Sequence, residues 1–157
     1  MEDASQKIID SEVFFDRPVL GKILVLPRSS VEQFQYNKPW ACISIRGNWE
    51  PFPPNLHEAN LVAMLPLQFD DVEFDRPASR LRPINDDQVD QVWKFVKEHW
   101  ENVDLLVIHC AAGISRSTAT AMAISDRYQP EFAKYYEQLY SPNSLVFESL
   151  HKKKWDY

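Results

Sequence analysis

The stretch LLVIHCAAGISRST, residues 105–118, runs four apolar residues into a His-Cys pair, a glycine, an arginine and three hydroxyl side chains. Its apolar start shows no alternation, the pattern of a strand buried on both faces of a parallel sheet. The small-residue segment RSTATAMAIS, residues 116–125, suits a helix packed closely on that sheet. Strand, loop and helix in this order put the loop at the carboxyl end of a strand, where open α/β sheets hold their ligands.

Upstream, residues 22–27 (KILVLP) form an apolar run ended by proline, with Ser29 or Ser30 as the expected cap of a following helix. Residues 40–45 (WACISI) read as a second strand, closed by RGNWEPFPPN, whose prolines and single glycine prevent regular structure. Residues 60–69 (NLVAMLPLQF) are a third. Over 85–101, Val89, Val92, Trp93, Val96 and Trp100 recur at helical spacing, while Asn85 and Gln88 form a capping-box pattern. PEFAKYYEQLY and SPNSLVFESLHKKK read as two further helices, with Pro130 and Pro142 at or near their starts. Strands alternating with helices predict an α/β fold: a mostly parallel central sheet flanked by helices, in one domain over residues 1–157.

A formal net charge of −6 argues against general attraction to nucleic acid or anionic membrane, so any anion recognition must be local. The segment MEDASQKIID has no apolar h-region, and no apolar run approaches a membrane span, so a cytoplasmic location is expected. Two cysteines, Cys42 and Cys110, offer no CxxC pair, and none of the four histidines is spaced as HExxH; no metal site is expected. Cys42 falls within a predicted strand and reads as a core residue, with a protective disulfide to Cys110 as the sharper alternative.

A loop that leaves a buried strand and opens a helix turns backbone N–H groups inward, and with the helix dipole these bind a dianion such as phosphate. Ala111, Ala112 and Ile114 carry no large polar side chains to interfere, and Gly113 suits the positive φ of a tight turn. Arg116 can fork two N–H bonds onto phosphate oxygens. The same field favours the thiolate form of Cys110, the form that attacks phosphorus. A leaving oxygen also needs a proton. If helix 85–101 is a right-handed crossover between neighbouring strands, the loop FDDVEFDRP falls next to Cys110; Asp70 and Asp71 are then candidate acids, with Glu73 and Asp75 weaker ones.

HCAAGISRS is similar to the HCxxGxxR signature loop of the cysteine-dependent protein tyrosine phosphatases, and resembles most the compact dual-specificity-like branch. The match covers His109, Cys110, Gly113, Arg116 and Ser117; FDDV resembles the general-acid loop, and SPNSLVFESL resembles the helix opened by Ser-Pro-Asn. The likeness runs over residues 22–151, leaving 1–20 as an N-terminal extension. It implies a phosphatase acting through a phosphocysteine intermediate, on protein phosphotyrosine and with phosphoserine or phosphothreonine as further substrates. By the same resemblance Cys110 is the nucleophile, residues 110–116 (Cys110, Ala111, Ala112, Gly113, Ile114, Ser115, Arg116) bind phosphate, sulfate or vanadate, and no cofactor is needed. Asp71, followed by Val72, aligns as the acid, with Asp70 as the alternative; Ser117 hydrogen-bonds the sulfur and His109 supports the loop.

Nothing resembles the phosphotyrosine-recognition loop of the larger tyrosine-specific enzymes, which implies a shallow site. Ala111, Ala112 and Ile114 stand where phosphoinositide phosphatases resemble one another in carrying lysines. Arg76, Arg80 and Arg82 form a basic cluster that can meet an acidic substrate, and Trp49 and Phe52 are candidates to wall the pocket or to anchor its loop. The alternatives are a phosphatase of nucleotides, RNA 5′ ends or inositol phosphates, and a silent module that captures phosphorylated ligands. Arsenate reduction and sulfur transfer fit less well, for want of further redox cysteines and because of the loop length.

Overall fold

Residues 12–50, 52–73 and 80–157 are described by the computed structural model. Val13–Phe14 (β1) and Arg17–Pro18 (β2) make a small antiparallel hairpin. The apolar runs after it form a parallel sheet of Ile23–Pro27 (β3), Trp40–Arg46 (β4), Leu61–Gln68 (β5) and Leu105–Cys110 (β6), in the spatial order β3-β6-β4-β5. Every residue of β6 is buried, as an unbroken apolar run at the sheet centre requires.

That order corrects the predicted neighbours. β4 lies between β5 and β6 and pairs with both, so the strand before the acidic loop does not adjoin the strand that ends in Cys110. The reason is visible in side-chain periodicity. β4 is buried through six successive residues and needs cover on both sides, whereas β5 alternates and leaves Val62 and Met64 exposed. Pro66, which cannot donate to a ladder, also suits an edge.

The helices are Arg28–Val31 (α1), Asp86–His99 (α2), Arg116–Tyr128 (α3), Tyr135–Leu139 (α4) and Ser144–His151 (α5). The sheet separates two cores. The larger packs Ile43, Ile45, Leu106 and Ile108 against Val92 and Trp93 of α2, Ile124 of α3, Tyr135 and Tyr136 of α4, and Val146 and Leu150 of α5. The smaller gathers Leu24, Leu26, Val31, Phe34, Trp40, Cys42, Leu105 and Val107, with Phe14 of the hairpin against it.

Helix α2 carries the expected capping box: the Asn85 side chain accepts from the Gln88 N–H and the Gln88 side chain from the Asn85 N–H. Helix α1 departs from expectation. Its cap is Pro27 rather than Ser29 or Ser30, and the Arg28 N–H is taken by the Ala111 carbonyl at 3.1 Å, so the helix begins as soon as β3 ends. The segment 130–140 is not one helix but a 3₁₀ turn, Pro130–Phe132, followed by α4. No helix among the described residues is long and apolar enough to cross a membrane.

Candidate active site

The turn between β6 and α3 gathers the signature residues. Cys110 is the last residue of β6 and Arg116 the first of α3, so five residues must reverse the chain between them. Gly113 makes this possible: its φ is +65°, and an added Cβ would sit 2.7 Å from the Leu26 carbonyl carbon and the Pro27 nitrogen. Ser115 caps α3 in position only: its side chain makes no cap bond to the first-turn N–H groups.

Cys110 Sγ lies 3.0 Å from Ser117 Oγ, both side chains being buried. Arg116 is 7% exposed; one guanidinium nitrogen donates to the Phe69 carbonyl at 2.9 Å and the other lies 3.8 Å from Glu50 Oε1. The Glu50 carboxylate also accepts from the Gly47 N–H at 3.1 Å and lies 3.5 Å from the Arg28 guanidinium. An added Cβ on Gly47 would stand 2.9 Å from Asp70 Oδ1 and 3.4 Å from Arg116 Nη1, so the loop passes close to both side chains at this glycine.

The two aspartates diverge. Asp70 is 5% exposed and fully engaged: it accepts from the Asn48 N–H (2.9 Å), the Asn48 side chain (2.8 Å) and the Arg82 N–H (2.8 Å). Burial alone would raise its pKa, but these three donors and the nearby Arg116 charge outweigh it and hold the carboxyl below its ordinary range. Asp71 is exposed and reaches the loop from the other side: Asp71 Oδ1 accepts from Ser115 Oγ at 2.8 Å and from Asn143 Nδ2 at 2.7 Å. Although β5 is displaced from β6, the loop after it spans β4 and meets the residues that follow Cys110.

His109 is fully buried, and its Nε2 lies 2.6 Å from Ser44 Oγ on the adjacent strand β4. Burial, before any neighbouring charge, lowers its pKa to about 4. The ring is therefore neutral near pH 7 and joins two strands beneath the loop.

Other predicted residues do not assemble. Arg80 and Arg82 are exposed, and Arg82 contributes through its backbone, which donates to and accepts from Asp70; Arg76 and Asp75 lie outside the described residues. Glu73 is exposed. Trp49 and Phe52 are 81% and 72% exposed and anchor nothing by packing, although the Phe52 carbonyl accepts from the Arg28 guanidinium. Cys42 pairs in register with Val107, three residues before Cys110, and belongs to the opposite core, so the sheet stands between the two thiols. Burial pushes the Cys42 thiol pKa up.

Sequence reading missed Glu50, Gly47, Asn48 and Arg17. Each is a single residue in a loop or hairpin without periodicity, and only the tertiary fold shows its partner. Asn143 was recognisable as part of a Ser-Pro-Asn helix start, but not as a partner of Asp71.

No sequence-family model matches the chain, and no curated protein matches it in sequence. Solved structures do match. The human tyrosine phosphatase-like serine/threonine/tyrosine-interacting protein superposes with a TM-score of 0.62 at 20% identity, over 88% of this chain and 94% of that one. A human DUSP28 variant gives 0.58 at 15% identity, over 85% and 90% of the two chains. A mouse protein solved in complex with zinc tungstate gives 0.57 at 13%, over 85% and 82%. With Cys110, Arg116 and Asp71 converging on one loop of a parallel α/β sheet, the chain has the fold of the cysteine-dependent protein tyrosine phosphatases in their compact dual-specificity form.

Proposed function

We propose that this chain hydrolyses phosphomonoesters through a phosphocysteine intermediate, with protein phosphotyrosine as the principal substrate and phosphoserine and phosphothreonine as further ones. The observation that carries this reading is the Ser115–Asp71 hydrogen bond of 2.8 Å, which puts an exposed carboxyl at the loop holding Cys110 and Arg116.

In this reading the phosphoryl group sits in the 110–116 loop, held by loop N–H groups and the Arg116 guanidinium. Cys110 Sγ attacks phosphorus, the P–O bond to the leaving group breaks, and Asp71 gives that oxygen its proton. Water then attacks the phosphocysteine, with the Asp71 carboxylate taking its proton. The S–P bond breaks to release inorganic phosphate, and the Ser117 hydroxyl, 3.0 Å from the sulfur, stabilises the returning thiolate. Asp70 is a structural tie between the 47–50 loop and Arg82 rather than the acid, in keeping with its three donors.

The preference for protein over inositol phosphates rests on charge. Ala111, Ala112 and Ile114 present no cations around the loop, and the chain carries a net charge of −6. PTPMT1, solved in complex with PI(5)P, shares the fold at 17% identity and a TM-score of 0.53, which makes a phosphoinositide the non-protein substrate to assay first. A cytoplasmic location belongs to the same proposal, because a thiolate nucleophile works where thiols are kept reduced.

The test is hydrolysis of a small aryl phosphate in the presence of chelator. Turnover by the wild type that Cys110→Ser abolishes is expected. A folded wild type that binds vanadate but shows no turnover on aryl phosphate, phosphopeptides or PI(5)P overturns the enzyme reading in favour of a phospho-ligand binding module.

A further inference from the structure

We propose that Arg17, from the hairpin outside the segment that resembles the phosphatases, is a positioning residue that holds the 110–116 loop in its anion-binding form. Arg17 donates from one guanidinium nitrogen to the Gly113 carbonyl at 2.5 Å and from the other to the Ala112 carbonyl at 3.1 Å, across 96 and 95 positions of sequence. A loop that turns successive N–H groups toward an anion turns the matching carbonyls the other way, and those carbonyls need donors. Arginine supplies both from one planar fork, which a lysine ammonium cannot do.

The fork is itself held from two sides. The guanidinium lies over the Tyr140 ring, 5.2 Å from its centroid, at the end of α4. The hairpin turns through Phe15 and Asp16, which both adopt positive φ, 52° and 63°; this two-residue turn matches strand twist and fixes where β2 presents Arg17. Three elements distant in sequence therefore meet at the outer side of two successive peptide units, 112–113 and 113–114. Without the fork, these units are free to rotate a carbonyl toward the bound phosphate, where it repels the anion. The guanidinium also adds a positive charge on the outer side of the loop, favouring negative charge held within it.

This inference deepens the phosphatase reading and rests on it for the identity of the anion. It is tested by measurements that do not need turnover: inorganic phosphate protection of Cys110 against iodoacetamide, and the unprotected alkylation rate at mildly acidic pH. Both thiols are buried, so alkylation is read by mass on the peptide that contains Cys110, which separates it from Cys42. Arg17→Ala is expected to weaken phosphate protection and lower kcat/KM on aryl phosphate by about 10- to 100-fold, the scale of a misplaced reacting group. Slower alkylation is expected alongside, and Arg17→Lys should restore only part of each. Tyr140→Leu, which removes the ring and its hydroxyl but leaves the donors of Arg17 to Ala112 and Gly113 in place, should move the same readouts in the same direction by less.

If Arg17→Ala proves too unstable to assay, Arg17→Gln carries the test, keeping a donor but losing fork and charge. A folded Arg17→Ala or Arg17→Gln protein whose phosphate protection and alkylation rate stay within about twofold of wild type overturns the proposal. Complete rescue by Arg17→Lys overturns the fork as its cause. Failure of the phosphatase reading is a separate result, seen as wild-type protein that is protected by phosphate and turns nothing over.

Discussion

Asn143 Nδ2 donates to Asp71 Oδ1 at 2.7 Å while Asn143 Oδ1 accepts from the Val146 N–H at 3.0 Å, so one buried side chain both caps α5 and holds the candidate acid. The two duties separate by substitution. Asn143→Ser keeps a cap acceptor but removes the Nδ2 donor to Asp71 and to the Val72 carbonyl, and should lower kcat with a smaller loss of stability than Asn143→Ala. Asn143→Ala loses both, with about 1 kcal/mol of further stability gone with the cap. Thermal unfolding and kcat measured together check this; equal losses of stability in the two variants would contradict it.

Asp70 and Asp71 should fail in different ways. Asp71→Asn removes the proton donor without burying an unpaired group, and is expected to lower turnover of alkyl phosphates by about 10²- to 10⁴-fold with little change in stability. Asp70→Asn leaves the Asn48 and Arg82 donors facing an amide and should destabilise the fold by about 1–3 kcal/mol. The pH profile decides between them: the limb that reports the acid should vanish in Asp71→Asn and persist in Asp70→Asn.

His109 predicts a pH dependence of stability. Its folded pKa of about 4 lies below the ordinary 6.5, chiefly through burial, so between these values the unfolded chain binds more protons. Stability is therefore complete above about 6.5 and is lost as pH falls through about 4, by roughly 3 kcal/mol if no other group compensates. Asp70 adds a loss at lower pH, because its carboxyl is held below the ordinary range and must be protonated against its donors. Urea unfolding of wild type and His109→Gln at several pH values checks the sign: the slope between pH 6.5 and 4 should flatten in the variant.

Gly113→Ala should be severe although it adds one methyl group. The positive φ of 65° disfavours any Cβ, and the atoms it would strike are the backbone of Leu26 and Pro27, which cannot swing aside. A loss of about 1–3 kcal/mol is expected, together with loss of phosphate protection at Cys110. Retained protection would show that the loop tolerates another conformation.

What the sequence made legible was local. The buried run of β6 and the Asn85–Gln88 capping box each lie within a few residues of chain and appear in the structure as read, and the Cys110-to-Ser117 motif falls on a strand, a turn and a helix start with Sγ and Oγ 3.0 Å apart. What it hid depends on contacts between distant segments. The strand order was misjudged because the α2 crossover skips a place, although Pro66 and the alternation of β5 already marked an edge. The choice between Asp70 and Asp71 turned on Asn48, Arg82, Ser115 and Asn143, none of which neighbours them in sequence. Arg17 falls in the expected extension 1–20, and its two acceptors lie 96 and 95 positions away.

The central claim is that Cys110 accepts the phosphoryl group, and it is tested most directly by acid-quenching the protein during turnover of an aryl phosphate and measuring peptide masses. The account predicts the mass of one phosphoryl group on the peptide containing Cys110, its accumulation in a variant slowed at dephosphorylation such as Ser117→Ala, and its absence in Cys110→Ser. Turnover with no phosphoryl adduct on Cys110 in either wild type or Ser117→Ala would contradict it.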